Sequence, residues 1–153
     1  MTPSHEECLM ELSQTIRVSG HEHVQASHES TLEVTSDDWL TPAGDCILAV
    51  EADTVPQEFD LEYKRACQDA TATVRANIRV LTEDGSFETT IEGRGDPELT
   101  FDNDRSAVIR TSEFVDDRTV MIDADAAATD IGRDLVSALS EGAAATLVLS
   151  VEQ

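Results

Sequence analysis

The feature that most constrains the fold is a repeat in the order of predicted elements. Residues 11–40 align with residues 86–115 without a gap, and Gly20 falls on Gly95. The alignment resumes after a loop that is three residues shorter in the second half. This pattern predicts two similar units of three strands, a helix and a strand. A regular fold without an internal duplication would give the same order, so that alternative stays open.

Hydrophobic periodicity places the elements of each unit. In the first half, the strands are predicted over 12–18, 24–34, 47–51 and 74–80, with a helix over 56–69. In the second half, they are predicted over 87–91, 98–101 with 107–110, 119–122 and 145–151, with a helix over 126–140. The dipeptide Asp84-Gly85 between the halves is typical of a β-hairpin turn.

We therefore predict an α+β fold, in which internally duplicated strand-strand-strand-helix-strand units form a mainly antiparallel or barrel-like sheet with two helices. A length of 153 residues fits one domain with a core of its own. The predicted organisation is an N-terminal tail over 1–10 and a single domain over 11–153, made of repeats 11–82 and 86–153.

Two aligned pairs are given structural roles. Asp53 and Asp125 each precede a predicted helix, where a carboxylate can cap free N–H groups and suits the helix dipole. Trp39 aligns with Phe114, which favours a core anchor over a ligand platform.

The net charge of -22 is spread along the chain, and Lys64 is the one lysine beside nine arginines. Such a composition resembles proteins of organisms with molar salt in the cytoplasm, where the Debye length is about 3 Å. The charge then reports the solvent and not a function. Nucleic acid is not excluded as a partner, because salt adaptation would mask a basic patch.

We expect a cytoplasmic protein with reduced thiols. No window approaches the length of a membrane span, and the N-terminus does not resemble a signal peptide. Cys8, Cys46 and Cys67 are an odd set without CxxC spacing, which supports neither a disulfide framework nor a standard structural zinc site.

Reactive side chains concentrate between Gly20 and Asp53, in the first half only. The alignment places an imidazole or a thiol opposite a different residue type at four positions, namely His21 on Asp96, His23 on Glu98, His28 on Asn103 and Cys46 on Arg118. The asymmetry predicts a site in the first half and a scaffold copy in the second. Drift after duplication is the alternative.

A metal site is the weaker hypothesis for this segment. On a strand, His21 and His23 would share a face as an H-x-H pair, and a third ligand would have to come from His28, Asp45 or Cys46. One such pair is weak evidence. We predict no metal, and the sequence identifies no cofactor.

A nucleophile is the second hypothesis. The run Thr41–Cys46 predicts a tight turn that presents Asp45 and Cys46 at the start of a buried strand. A neighbouring carboxylate raises the pKa of a thiol, so His21 or His28 would have to activate Cys46, with Asp45 orienting the imidazole. Alternatively, Cys46 is a small core residue. The predicted catalytic residues are His21, His28, Asp45 and Cys46.

Several other classes find no support. The chain lacks the motifs GxxxxGK[ST], GxGxxG, HExxH and GxSxG, and aromatic residues make up only 4% of it. Arginines 75, 79, 110 and 118 could bind an anion, but we expect them to pair with the surplus carboxylates.

The run G-H-x-x-V-x-A-x-H-x-x-T-L-E-x-T-x-D-D-x-L-T-P-x-G-D-C-I-x-x-V-x-A-D from Gly20 to Asp53 resembles the archaeal domain of unknown function family numbered 371. VIRTSEF and RTVMIDADAAATDIGRDLV resemble its C-terminal half. The resemblance implies a stand-alone cytoplasmic archaeal protein without an agreed activity, and the composition suggests a haloarchaeal-type member. It also makes His23 a local variation.

Two functions follow as hypotheses. The first is small-ligand binding or catalysis in a His/Cys/Asp-lined pocket of the first repeat. The alternative is a non-catalytic module that binds a protein or RNA partner. No membrane partner is expected.

Overall fold

The computed structural model describes residues 12–41, 43–83 and 85–152. Within these ranges the strands are β1 Leu12–Ser19, β2 Thr31–Thr35, β3 Ile47–Ala49, β4 Thr73–Thr82, β5 Gly85–Arg94, β6 Ser106–Arg110, β7 Thr119–Met121 and β8 Ala144–Glu152. The helices are α1 Leu61–Cys67 and α2 Arg133–Ser140, each preceded by a 3₁₀ turn, Pro56–Glu58 and Ala128–Asp130 respectively. The predicted tail over 1–10, including Cys8, lies outside the described residues.

The strands form two four-stranded sheets. Sheet A has the order β1-β8-β4-β5 and is antiparallel throughout. Buried and more exposed side chains alternate along β4 and β8, so one face of sheet A packs on the core and the other faces solvent. Thr82 pairs with Gly85, which confirms the predicted hairpin, although Asp84 itself is not among the described residues.

Sheet B has the order β3-β2-β6-β7. Its central strands β2 and β6 are antiparallel, while the outer strands β3 and β7 run parallel to β2 and β6 respectively. The order of elements from β1 to β4 is the same as from β5 to β8.

Both sheets and both helices contribute to one cluster of buried apolar side chains. The α1 helix contacts β1 and β8, and α2 contacts β4 and β5. An aromatic group of Phe59, Tyr63 and Phe101 lies within this core. No helix among the described residues is long and apolar enough to span a membrane.

The prediction of a mixed fold with two helices and mostly antiparallel strands is confirmed. The prediction of a single sheet, antiparallel or barrel-like, is wrong, because β2, β3, β6 and β7 pair with one another and form a second sheet. Several boundaries also differ. The strand predicted over 24–34 begins only at Thr31, because Ala26 has a positive φ of 47° that interrupts extended backbone. Likewise, no strand forms over 98–101, where Phe101 has a φ of 55°. Each predicted helix is shorter, because extended residues separate its 3₁₀ turn from the α-helix.

Two structural assignments were wrong. Asp53 and Asp125 do not cap helices; their Oδ1 atoms accept the backbone N–H groups of Arg17 and Glu92, at 2.9 and 3.0 Å. These carboxylates therefore fasten a loop to each edge strand of sheet A. Trp39 is not a core anchor, since it is 60% exposed, because the loop after β2 runs over the surface.

Candidate functional site

His21 lies in a turn and not on a strand. Its Nδ1 accepts the backbone N–H of His23 at 3.0 Å, and the centroids of the two rings are 5.2 Å apart. The strand geometry that would have placed both imidazoles on one face is therefore absent. Within the described part of the chain, no group of three His, Cys, Asp or Glu side chains is arranged to hold a metal ion.

His28 closes a turn at the start of β2. Its Nδ1 accepts the backbone N–H groups of Ser30 and Thr31, both at 3.2 Å. Because it accepts these bonds, that nitrogen is unprotonated. It takes the place of the side-chain oxygen that accepts a backbone N–H in an Asx turn. This role accounts for a hydrogen-bond acceptor at position 28 without any chemistry.

Asp45 and Cys46 lie beside His28. The predicted turn forms, since Gly44 N–H donates to the Thr41 carbonyl at 2.9 Å, although Pro42 is not among the described residues. The Asp45 carbonyl accepts the His28 N–H at 3.2 Å. The fold thus brings the backbones of His28 and Asp45 together, while the His28 ring bonds to Ser30 and Thr31 and the Cys46 thiol bonds to Glu33. His21 bonds within its own turn and makes no described contact with the other three.

The Cys46 thiol is held in its protonated form. Burial, then the charge of Glu33 and its hydrogen bond, then the charge of Asp45 raise the pKa of Cys46 to about 11, against a smaller lowering effect of Thr31. The Sγ atom lies 3.6 Å from Glu33 Oε1 and donates to it. These surroundings oppose a thiolate, which is the form that acts as a nucleophile.

A polar cleft of about 300 Å³ opens on the outer face of sheet B, next to Cys46. It crosses from β2 and β3 to β6 and the loop before β7, so both halves of the chain contribute. Its lining residues are Glu33, Thr35, Asp37, Ile47, Asn103, Asp104, Arg105, Ser106 and Arg118. His28, Asp45 and Cys46 are not part of this lining, and Cys46 reaches the cleft only through Glu33.

Glu33 forms the floor of the cleft. Its side chain is only 13% exposed, and it lies 3.8 Å from Arg118 Nη1. The other described donor to it is the weak Cys46 thiol. A largely buried carboxylate with one long ion pair and one weak donor retains acceptor capacity for a further group.

Arg118 is positioned by Asp116. The Arg118 Nη2 atom lies 3.2 Å from Asp116 Oδ2, which also bonds Arg110 Nη2 at 2.9 Å. Burial raises the pKa of Asp116, but hydrogen bonds from Thr119 and the Arg118 amide, together with Arg110, outweigh it and lower the value to about 2. The expected pairing of arginines 75, 79, 110 and 118 with carboxylates is confirmed. Arg118 nevertheless keeps one nitrogen directed toward Glu33.

Sequence reasoning did not select Glu33, Arg105 or Arg118 as site residues. One signal was present, because Thr31, Glu33 and Thr35 alternate with buried Leu32 and Val34 and so share the outer face of β2. The pairing of β2 with β6 brings the second half of the chain to that face, and periodicity within one strand carries no information about this.

The family model described as a domain of unknown function, DUF371, matches residues 16–152. The chain is also 38% identical over 127 residues to a protein of the archaeon Methanocaldococcus jannaschii, named "Uncharacterized protein MJ0206". That match covers 83% of this chain and 90% of the relative. The chain therefore belongs to the DUF371 family.

Proposed function

We propose that this protein binds a small polar ligand in the cleft on the outer face of sheet B. The observation that carries the proposal is Glu33, a carboxylate that is 13% exposed at the floor of the cleft and whose described partners, Cys46 and Arg118, both approach Oε1. A volume of about 300 Å³ lies at the lower end of the range for small-molecule sites.

The charges of the lining indicate a ligand that carries both signs. Glu33 would accept hydrogen bonds from an ammonium or another donor group. Arg105 is 68% exposed at the rim, where its Nε lies 3.7 Å from Asp37, and Arg118 is 41% exposed. The other N–H groups of each guanidinium can donate to an anionic group. A small zwitterion such as an amino acid has this pair of groups.

In this proposal the residues selected from the sequence support the cleft and do not react. His28 and Asp45 hold the turn before β2, and Cys46 fills the space beside Glu33 as a neutral thiol. The catalytic roles predicted for His21, His28, Asp45 and Cys46 stay predictions, and the raised pKa of Cys46 favours binding over nucleophilic catalysis.

A thermal-shift screen in molar KCl tests the proposal. The panel contains amino acids, simple amines and simple carboxylates, and the protein is compared with Glu33→Gln. We expect zwitterions to raise the Tm of the wild type and not that of Glu33→Gln. Glu113→Gln is the matched control, because it removes the same charge from a glutamate that is 78% exposed and outside the cleft. Equal shifts in the wild type and Glu33→Gln would reject the cleft as the site.

We further propose that the chain is a haloarchaeal-type, cytoplasmic member of the family, with one domain over 11–153 built by duplication of the units 11–82 and 86–153. The net charge of -22 and the single lysine support the salt-adapted origin. Paired contacts support the duplication: the Ser19 and Val50 backbones exchange hydrogen bonds, as do Arg94 and Ile122.

A further inference from the structure

The β5 strand lies at one edge of sheet A. On the side away from β4, other residues form hydrogen bonds with its backbone only near its C-terminal end. Glu92 N–H donates to Asp125 Oδ1 at 3.0 Å, and the Glu92 carbonyl accepts the Asp125 N–H at 2.9 Å. Arg94 exchanges two backbone hydrogen bonds with Ile122. The backbone groups of these even-numbered residues therefore point away from β4.

The same alternation directs the backbone groups of Ser86, Glu88 and Thr90 outward. Within the described ranges, no residue outside sheet A bonds to these groups. The free edge thus offers three N–H donors and three carbonyl acceptors along a regular strand without a bulge. Such an edge is a template for another strand.

A groove of about 540 Å³ runs beside this edge, between β5 and the first turn of α2. Phe87 and Thr89 line it from the strand, and Gly132, just before α2, and Leu135 of α2 line it from the other side. A strand added to β5 would therefore place alternate side chains in this groove.

In the first half of the chain, side chains fill the corresponding space between the edge strand β1 and the start of α1. At the start of α1, Gln14 Nε2 donates to Asp60 Oδ2 at 3.1 Å, and Asp60 N–H donates to Gln14 Oε1 at 3.1 Å. In the alignment of the two halves, Thr89 and Gly132 occupy these positions. A Cβ added at Gly132 would meet nothing within 4 Å, so the groove beside β5 is open because these side chains are too short to span it.

We propose that the free edge of β5 and this groove bind an extended peptide by strand addition, with basic side chains alternating with apolar ones. Backbone hydrogen bonds to β5 would supply affinity, and the groove would select the apolar side chains. Phe87 and Leu135 provide the apolar surface of the groove.

Charge favours a basic peptide. Asp134 lines the groove beside Arg133, whose guanidinium donates to backbone carbonyls, and Glu141 lines the adjoining cavity. Glu88 lies on the free edge with its side chain exposed, and Arg79 of β4 pairs with it at 3.4 Å. A second copy of the chain, paired antiparallel over the same free stretch, would set Glu88 directly against Glu88, which is an unfavourable cross-strand pair. A basic side chain opposite Glu88 forms a favourable cross-strand pair instead.

The probe is a fluorescein-labelled peptide of alternating arginine and valine, and the measurement is fluorescence anisotropy in molar KCl. The same peptide with every residue N-methylated is the ligand control, because it keeps the charge but has no backbone N–H to donate from either of its edges. We expect the N-methylated peptide to bind at least about tenfold more weakly. Equal binding of the two peptides would overturn strand addition.

Two variants locate the site. Glu88→Pro removes an outward N–H that β4 does not use, and its matched control is Thr15→Pro, at an outward position of the opposite edge strand β1. Thr89→Gln with Gly132→Asp recreates the closing pair seen at Gln14 and Asp60. We expect Glu88→Pro and the double variant each to weaken binding by at least about tenfold, and Thr15→Pro to leave it unchanged.

Retained affinity in the double variant, whose helix and strand pairings are untouched, would overturn the proposal even if Glu88→Pro failed to fold. Analytical sedimentation of the protein without peptide tests the alternative that a second copy of the chain occupies the free edge of β5. A dimer that Glu88→Pro and the double variant both abolish would assign the edge to a second copy and reject the peptide.

Discussion

Gly20 packs so closely against the backbone carbonyl of Leu139 in α2 that a Cβ atom at position 20 would overlap that carbonyl group. Gly95 has the same relationship to the carbonyl of Cys67 in α1. Each glycine thus lets the end of a helix approach the chain just beyond an edge strand of sheet A, with no side chain between them.

Gly20→Ala and Gly95→Ala are therefore expected to destabilise the fold strongly. Backbone and not a flexible side chain is the obstacle, so we expect a loss of about 3 kcal/mol or more in the free energy of unfolding. Denaturant unfolding in molar KCl measures it. Gly132→Ala is the matched control, since its Cβ meets nothing within 4 Å, and it should unfold like the wild type. Near-neutral values for Gly20→Ala would refute the close packing.

His28 is expected to be replaceable by asparagine. In the second half, Asn103 Oδ1 accepts the N–H groups of Arg105 and Ser106 at 2.8 Å, as His28 Nδ1 does for Ser30 and Thr31. His28→Asn should keep the wild-type stability, while His28→Ala should lose roughly 1 kcal/mol because two amides lose their acceptor. If His28→Asn abolished an activity of the folded protein, the imidazole would have a chemical role after all.

Asp116 is expected to stabilise the fold at neutral pH and to lose this effect in acid. Its pKa of about 2 in the folded chain lies below the ordinary 3.8, so its contribution is present above about pH 4 and disappears as the pH falls toward 2. Asp116→Asn should cost roughly 2 kcal/mol at neutral pH. The difference between wild type and variant should shrink in unfolding curves taken below pH 4. A difference independent of pH would contradict the role of the charged form.

Cys46 is expected to react slowly with iodoacetamide in the folded protein. With a pKa of about 11 against an ordinary 9.0, its thiolate population at neutral pH is roughly a hundredfold below that of a free thiol. Glu33→Gln should raise the rate, because it removes a nearby negative charge. Mass spectrometry of a Cys8→Ser background separates Cys46 from the buried Cys67. Alkylation at the rate of a free thiol would revive the nucleophile hypothesis.

The sequence predicted the long strands well, because β4 and β8 alternate buried and more exposed side chains over their full length. It failed where the backbone changes direction. Val24 and Ala26 are both buried and alternate as in a strand, yet the positive φ of Ala26 ends any extended run, and no residue type there signals it.

The candidate site was predicted in part. The segment Gly20–Asp53 does contribute to the cleft, through Glu33 and its neighbours on β2 and β3 and not through His28, Asp45 or Cys46. The cleft itself is assembled by pairing β2 with β6. Arg118 comes from a position aligned with Cys46, and both side chains approach Glu33. A comparison of the two halves residue by residue showed that Cys46 and Arg118 differ at aligned positions. Only the pairing of β2 with β6 shows that both side chains lie next to Glu33.

The most direct test of the ligand-binding cleft is a heteronuclear NMR titration with a zwitterion that raises the Tm. The account predicts saturable shifts concentrated at Glu33, Cys46, Arg105 and Arg118, which vanish in Glu33→Gln and persist in Glu113→Gln. Saturable shifts that leave these four residues unmoved, or that survive Glu33→Gln, would contradict it.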